Sequence, residues 1–558
     1  MKEAIVRILK KALKEKGINL SEAEIEKFIE IPPSSEMGDY SFPCFFLAEK
    51  LKDNPSQIAI ELREKIGNAS VEFEDIQTQG PYINFFVNRK ALAKRIVFQI
   101  LSQKDDFGKA NIGKKEKALI EHTSINPNAS PHVGRARNAI IGDSIVKILD
   151  FLGFKTETHY YVNDVSKQIA MLVLANAESL SFDKMLGKYI EISKKVEKSK
   201  KLEQKVFSWL KKFESGDKEA EKKFEKITRT CVKGQSEILK KLGIQYEFFD
   251  YESNYLERSK EILEALKKTG KLRKDKDNRL YLDQSNTELK GMMKSPVLVL
   301  TRSDSTGLYP LRDIAYTMEK MQIAEKNMIV LGEDQKLYFL QLKEALKLLS
   351  SGSPEVVHYS FINLLDSEGK SKKMSTRKGD VVLLEDFFDD LVAKAKKEIT
   401  KRKTKGNPEV VAIAALKYKI LKNSPNKLIQ FDPDEALNFE GDTGPYILYS
   451  YARASSILKK EPKLEKFEVH DLEEKEIELV KKLSQFPEVV LSAYKNLNPS
   501  LIANYSYQLA QVFNEFYHAC KVIGSEEQEA FRLSLVQSFR QVLKNALWLL
   551  GIETVEKM

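Results

Sequence analysis

The sequence predicts a multidomain α/β protein: an open parallel sheet set between an N-terminal α+β unit and a C-terminal all-α helical bundle. Three observations carry that expectation. Between about residues 113 and 425 short apolar runs, Ala118-Leu119-Ile120, Val297-Leu298-Val299-Leu300 and Met328-Ile329-Val330-Leu331, alternate with helical stretches, the order of a parallel sheet with crossover helices. Beyond about 426 the apolar residues keep helical spacing throughout, with Leu458, Leu479, Leu483, Val490, Leu509, Val512, Phe516, Leu533, Val542 and Leu549 as core candidates. A chain of 558 residues is also too long for one hydrophobic core, so roughly two to four domains are expected. The expected divisions are 1–112, 113–425 with helical insertions, and 426–558.

Taken in order, Met1-Lys2-Glu3 opens an amphipathic helix rather than a signal peptide. Pro32-Pro33-Ser34-Ser35 reads as a loop and is followed by Gly38-Asp39-Tyr40-Ser41-Phe42-Pro43. A helix is expected through Phe45, Leu47, Ala48 and Leu51, and a strand from Ile83 to Val87 after Gly80-Pro81. In the sheet region, Ala118-Leu119-Ile120 leads to a loop closed by His132-Val133-Gly134-Arg135. Ile140, Ile141, Ile145, Ile148, Leu149 and Leu152 then share one helical stripe.

That order of strand, loop and helix has a chemical consequence. A helix N-terminus presents unpaired N–H groups and the positive end of a dipole, which favours an anion such as triphosphate. His132 adds a donor, and Gly134 has no side chain to block a flat adenine. Far along the chain, Lys373-Met374-Ser375-Thr376-Arg377, followed by Lys378-Gly379-Asp380, is a basic, Gly-ended loop suited to closing over β- and γ-phosphates. Together the two segments point to one ATP site beyond the strand C-termini, where open parallel sheets bind ligands. A lysine-rich helical insertion at about 185–241, with Lys194-Lys195 and Lys222-Lys223, reads as a solvated helical surface.

Composition narrows the rest. Lys plus Arg is 91 against 81 Asp plus Glu, a net charge of +10 that favours a polyanion partner, although a merely basic solvated surface accounts for it equally well. Cys44, Cys231 and Cys520 are widely separated and make no metal-ligand spacing, so no protein-held metal is expected and a reduced, cytoplasmic compartment fits. No apolar run approaches membrane-spanning length, and no membrane partner is expected.

With these residues in view, the chain resembles a class I aminoacyl-tRNA synthetase, whose signatures are written HIGH and KMSKS. Among these it looks like the arginyl-tRNA synthetases, over nearly the whole chain from Gly38-Asp39-Tyr40 to Met558. The order, separation and flanks of the two segments carry the resemblance. It implies a Rossmann-like catalytic domain over 113–425 and an N-terminal domain similar to the one arginyl enzymes place against the outer corner of tRNA. The C-terminal block resembles the family's anticodon-binding domain through Asn438-Phe439-Glu440-Gly441, Gly444-Pro445-Tyr446, Tyr451-Ala452-Arg453-Ala454 and Phe513-Asn514-Glu515-Phe516-Tyr517. The implied partners are tRNA(Arg), L-arginine and ATP, with Mg²⁺ accompanying the pyrophosphate through its own oxygens and water, and the implied quaternary state is a monomer.

The resemblance also implies a site. A planar cation needs carboxylates in a fork arrangement, with separate acceptors for its α-ammonium. Asp313, Glu121 and the Tyr309 hydroxyl would hold the guanidinium, while Ser124, Asn126 and Gln335 would hold the amino-acid head. Tyr161-Val162-Asn163-Asp164 and Gln168 resemble a segment at the pocket edge. Asn128, His132, Gly134, Lys373, Met374 and Ser375 would bind ATP, and His132, Gly134, Arg135, Lys373, Ser375 and Arg377 would stabilise the reacting phosphate. Tyr446, Tyr449, Arg453, Asn514 and Met558 are the expected anticodon contacts.

The implied reaction forms arginyl-adenylate and pyrophosphate from arginine and ATP, then passes the arginyl group to the 2′-hydroxyl of the terminal adenosine. Such chemistry asks mainly for positioning and charge stabilisation. The sequence departs from the family pattern at Arg135, where His is usual, and at Thr376, where the second signature lysine is usual. Ala129 stands where many arginyl enzymes lacking that lysine carry a compensating one. Arg377 and Lys378, ahead of Lys372 and Lys370, are the candidates for the missing charge. Other class I synthetases, a smaller nucleotidyltransferase and a catalytically dead RNA-binding paralogue are the competing readings.

Overall fold

The computed structural model describes residues 2–558 without Ala69, Ala129, Ser305, 366–370, 373–381 and 461–465. Lys370, Lys373, Met374, Ser375, Thr376, Arg377 and Lys378 therefore lie outside the described residues, as does Ala129. Contacts divide the chain into two units.

The first unit gathers Met1–Phe107, Ile457–Gln485 and Gln511–Val542. Its opening helix, Lys2–Glu15, buries Ile5, Leu9 and Leu13 along one stripe, as the amphipathic pattern requires. Strands β1 (Tyr40–Pro43), β2 (Phe73–Gln79) and β3 (Tyr82–Val87) form an antiparallel sheet in the order β1-β3-β2. The expected helix at Phe45–Leu51 and the expected strand ending at Val87 are both present. Segments from the distant end of the chain complete this unit. Arg532 donates to Glu476 at 2.7 Å, the Phe513 and Phe539 rings stack at 3.7 Å, and Lys90 pairs with Asp471 at 2.7 Å.

The second unit comprises Gly108–Ser456, Phe486–Ala510 and Leu543–Met558. In chain order its strands are β4 (Lys117–Glu121), β5 (Lys155–Val162), β6 (Phe248–Tyr251), β7 (Leu272–Lys274), β8 (Leu280–Asp283), β9 (Val297–Val299), β10 (Lys326–Gly332), β11 (Glu355–Tyr359), β12 (Ile362–Leu365), β13 (Ser371–Lys372) and β14 (Ile429–Phe431). Five of them make a wholly parallel sheet in the order β11-β10-β4-β5-β6. The expected strands at 118–120 and 328–331 are its neighbouring central members, β4 and β10. The run at 297–300 is instead β9, the edge of a separate antiparallel sheet ordered β7-β8-β9. A short apolar run carries no information about which sheet it joins, and Leu298 finds its partner in Leu282 of β8.

Helix Val133–Phe151 follows β4 and is buried nearly all round, including Arg137, Asn138, Asp143 and Ser144. An apolar stripe alone describes a surface helix; this one lies inside. A Cβ on Gly142 would stand 2.3 Å from His122 Cγ, so only glycine lets the helix pass this close to the end of β4. The lysine-rich insertion folds as helices Phe182–Glu197, Lys200–Glu214 and Lys218–Lys241 around Tyr189, Phe213 and Phe224, with Lys194, Lys195 and Lys222 exposed.

The described residues beyond 426 form helices and their connections except at their start, where β14 pairs in parallel with β12, a strand that the expected all-helical pattern did not contain. Leu479, Leu483, Val490, Leu509, Phe516, Leu533, Val542 and Leu549 are buried as expected. Leu458 and Val512 are only half-buried, and their neighbours Ile457 and Phe513 take the core positions. A stripe read without its packing partner is open to such one-residue errors of phase.

Candidate active site

The chain leaves β4 toward β5 and β6 on one side of the sheet and reaches β10 and β11 on the other. A crevice must open between the outgoing connections at that reversal. A cavity of about 600 Å³ lies there, lined by Glu121 from the end of β4, Tyr161 from β5 and Ile329–Gly332 from β10. Glu121, Ser124, Asn126, Tyr309, Asp313 and Gln335 all line it. These six residues span more than two hundred positions of sequence, and the sheet brings them together.

Asp313 sits on helix Tyr309–Ile323. Tyr161 donates to one carboxylate oxygen at 3.2 Å and Tyr338 donates to the other. Burial pushes the Asp313 carboxyl above its ordinary range, opposed by the Tyr338 hydroxyl and by Arg312 and reinforced by Glu121. Tyr309 stands half-exposed at the mouth, its ring 5.2 Å from that of Tyr338. Glu121, expected as a free partner for a cation, is ion-paired with Lys320, and both side chains are almost completely buried. Lys320 also sits 4.2 Å from the centre of the Tyr316 ring, which stacks on Tyr161 at 4.4 Å. A further buried carboxylate, Glu252, accepts from Arg312 Nε at 2.6 Å, and its other oxygen has no partner among the described residues. Burial, reinforced by Asp313, raises the Glu252 carboxyl to about 8 against the pull of Arg312.

The segment that carries Ser124 is held in an unusual backbone conformation, with φ of +79° at Thr123 and +40° at Ser124. Non-glycine residues adopt this region at a cost and need their surroundings to hold them there. Asn138 supplies the restraint: its carbonyl oxygen accepts from Thr123 N at 2.5 Å and its amide donates to Val330 O at 2.8 Å. The helix that follows the loop thus anchors Ser124 against β10. Ser124 Oγ lies 3.4 Å from Glu121. Gln335 is exposed, on the short turn Glu333–Gln335 after β10, and donates to Asp334 at 3.2 Å. The Asn126 carbonyl accepts from Gln235 at 3.0 Å.

His132 is the N-cap of the buried helix, and its side chain makes no cap hydrogen bond. Its Nδ1 is buried without a partner among the described residues. Burial, with Arg135 adding repulsion, lowers its pKa to about 4, so the imidazole is neutral near pH 7. Gly134 and Arg135 lie in the first turn, where Arg135 lines the cavity, and Asn128 is buried in the preceding loop. The lysine signature itself lies outside the described residues, but its flanks do not. On the C-terminal side Leu383 bridges His132, Val133 N donates to Val382 O at 3.1 Å and Leu384 N donates to Pro131 O at 2.8 Å. On the N-terminal side Lys372 pairs with Leu364 of β12. The fully buried Arg137 donates to the carbonyls of Ser360 at 2.7 Å, Phe361 at 3.2 Å and Ser424 at 3.2 Å, next to that strand. The stretch 382–384, which follows the lysine signature in sequence, is therefore joined to the first signature by backbone hydrogen bonds.

A second cavity, of about 680 Å³, shares Asn126, Asn163 and Tyr309 with the first and includes Gln168. Of the residues expected near the anticodon, Tyr446, Tyr449 and Arg453 share helix Gly444–Lys460, with the Arg453 guanidinium 4.9 Å from the Tyr449 ring centre. Met558 belongs to the same unit, whereas Asn514, which is buried, belongs to the first. Among the described residues no group of three or more His, Cys, Asp or Glu side chains could hold a metal ion, and none of their helices is long and apolar enough to cross a membrane.

Lys320, Tyr338, Glu252 and Arg137 were not anticipated. The one available signal was their place beside expected residues: Lys320 stands seven residues, two helical turns, after Asp313 and so shares its face.

Comparison with known proteins adds an independent line. Residues 96–431 match the family described as tRNA synthetases class I (R), catalytic domain. Residues 1–87 match the arginyl tRNA synthetase N terminal domain, and 447–558 the DALR anticodon binding domain. The chain is 36% identical over 559 residues to the arginine–tRNA ligase of Methanocaldococcus jannaschii, covering 96% of each. It is 34% identical to that of Clostridium perfringens, over 97% of this chain and 98% of the relative. Among solved structures, the Thermus thermophilus arginyl-tRNA synthetase superposes over 100% of both chains with a TM-score of 0.81 at 26% identity.

Proposed function

The chain belongs to the arginyl-tRNA synthetase family of the class I aminoacyl-tRNA synthetases, and from that membership we propose that the cavity at the ends of β4, β5 and β10 is its arginine site. The activity that goes with the family is the charging of tRNA(Arg). L-arginine is activated with ATP to arginyl-adenylate, releasing pyrophosphate, and the arginyl group passes to the 3′-terminal adenosine of the tRNA, releasing AMP.

One observation carries the assignment of the site: Glu121, Ser124, Asn126, Tyr309, Asp313 and Gln335 converge on a single acidic cavity at the sheet's switch point. Asp313, fixed by two tyrosine hydroxyls, accepts the guanidinium, and Tyr309 closes over it from the mouth. Glu121 shares the guanidinium with Asp313, and Ser124, Asn126 and Gln335 surround the amino-acid head. The carboxylate of arginine then faces the start of helix Val133–Phe151, where His132, Gly134 and Arg135 meet the α-phosphate of ATP and Asn128 borders the nucleotide.

In the first step a carboxylate oxygen of arginine bonds to the α-phosphorus and the bond to the bridging oxygen of pyrophosphate breaks. The neutral His132 donates a hydrogen bond to the developing charge, and Lys373, Met374, Ser375 and Arg377 close over the departing phosphates. Mg²⁺ comes with ATP, held by phosphate oxygens and water. In the second step the 2′-hydroxyl of the tRNA attacks the carbonyl carbon, AMP leaves, and the hydroxyl proton departs with it.

Residues 1–112 serve as a tRNA-binding domain, 113–425 as the catalytic domain and 426–558 as the anticodon-binding domain, with Tyr446, Tyr449, Arg453, Asn514 and Met558 as contacts. The protein acts as a cytoplasmic monomer. The decisive experiment offers the purified protein each of the twenty amino acids with ATP and total tRNA. Esterification of arginine alone is expected, and esterification of any other amino acid in its place would overturn the reading.

A further inference from the structure

The Glu121–Lys320 pair raises a question that the arginine site alone does not answer. A pocket for a cationic amino acid contains a buried cation of its own. Lys320 lines the cavity, its side chain is 3% exposed and that of Glu121 5%. The ammonium is held on two sides, by the Glu121 carboxylate and by the face of Tyr316 at 4.2 Å. Tyr316 is in turn fixed by donating to Asp250 at 2.7 Å, and Asp250 meets His159 at 2.7 Å. Such an ammonium is not a solvated surface charge that happens to fall nearby.

The charged residues lining the cavity are Glu121, Asp313 and Asp334 against Lys320 and Arg135, which leaves one net negative charge. Free L-arginine carries one net positive charge: two cationic groups and one carboxylate. A decarboxylated analogue carries two. At the buried wall formed by Glu121 and Lys320 a mismatch of one unit charge is costly, so the wall itself counts cations.

We propose that Lys320 is a specificity-determining residue that neutralises Glu121, so that the site accepts an amino acid with a free carboxylate and rejects the corresponding dicationic amine. The inference rests on the arginine-site reading above. Lys320 acts through Glu121 and the cavity's total charge. It takes no part in bond making.

The test compares the KM for arginine with the inhibition constant of agmatine, the decarboxylated dication, in aminoacylation by the full-length protein. K320M should lower the agmatine inhibition constant at least tenfold, because an unpaired Glu121 now seeks a second cation. K320R should leave it within about threefold of the unaltered protein, and the double variant E121Q/K320M should return the ratio of the agmatine constant to the KM for arginine toward its unaltered value. If K320M does not fold, E121Q reports the opposite sign: agmatine should weaken at least tenfold more than arginine. A lysine that merely props up the wall would move both ligands in parallel. An agmatine constant unchanged or raised in K320M, or a parallel shift of both ligands in E121Q, overturns the proposal. Asp313→Asn separates the two levels. If it leaves the KM for arginine unchanged, the site reading fails, whereas a raised KM with an indifferent agmatine constant sinks only the charge filter.

Discussion

Replacing Asp313 by Asn removes one charge from the cavity while nearly preserving its shape. The carboxylate accepts from Tyr161 at 3.2 Å and from Tyr338, and the amide oxygen keeps one of those donors while the other hydroxyl turns away. What is lost is the attraction between a buried carboxylate and the guanidinium. Truncating one partner of a buried, hydrogen-bonded charge pair costs about 2–5 kcal/mol. Here the substitution is isosteric, so the lower half of that range, about 3 kcal/mol, is expected, or roughly a 10²-fold fall in kcat/KM for arginine.

The pH response should change with it. Burial raises the Asp313 carboxyl above its ordinary value, so activity at low arginine should climb as pH rises through that raised value, and D313N should lose this limb. Folding has the opposite sign. Between the ordinary and the raised value the folded state binds the proton more tightly, so Asp313 makes the fold less stable as pH rises across that window. Steady-state aminoacylation over a range of arginine concentrations, at saturating ATP and tRNA, reads the effect directly. A KM for arginine within about twofold of the unaltered protein would refute the reasoning, since no amide neutralises a guanidinium.

His132→Ala should lower kcat by about 10² or more with tRNA affinity nearly intact, because its donor acts mainly in the transition state. With its pKa lowered to about 4 by burial and by Arg135, protonation of His132 should contribute nothing to the pH profile between about 6 and 8. Arg137→Met strands the carbonyls of Ser360, Phe361 and Ser424 and should cost about 3 kcal/mol; an unshifted calorimetric Tm would contradict this. Lys417 is fully buried, donating to Gly551 O at 2.7 Å and pairing with Asp143 at 3.5 Å. Lys417→Met should therefore destabilise by about 3–5 kcal/mol, with the double variant K417M/D143L recovering much of the loss in urea titrations. Raising salt from about 50 to 200 mM should weaken tRNA binding about 10³-fold if several phosphates are contacted, and a flat response would deny the basic surface that role.

Local pattern sufficed for whatever depends on neighbours in the chain. β4, β10 and the helix starting at Val133 are apolar runs and stripes with clear loop punctuation, and the signature loops mark themselves by composition. The six residues expected around arginine could be picked out as a set because each sits on a recognisable segment at a strand end or helix start, and they line one cavity. Lys320 could not be, for a lysine on an amphipathic helix looks solvated until the end of β4 is laid against it. The same holds for Arg137, Glu252 and Lys417, polar residues on helices or turns that only a partner from elsewhere in the chain makes sense of.

Sequence by itself determined the kind of the clearest elements, β4, β10 and the helix at Val133, and the order of strand, loop and helix around His132. Only the tertiary structure decided that the run at 297–299 leaves the parallel sheet, that residues 457–485 and 511–542 pack with the first 107, and that a buried lysine, Lys320, lines the cavity beside Glu121 and Asp313. The physical reason is range. Propensity and periodicity act over a few residues, whereas sheet membership and the pairing of buried charges are settled by contacts whose loop-closure entropy and desolvation no local pattern records.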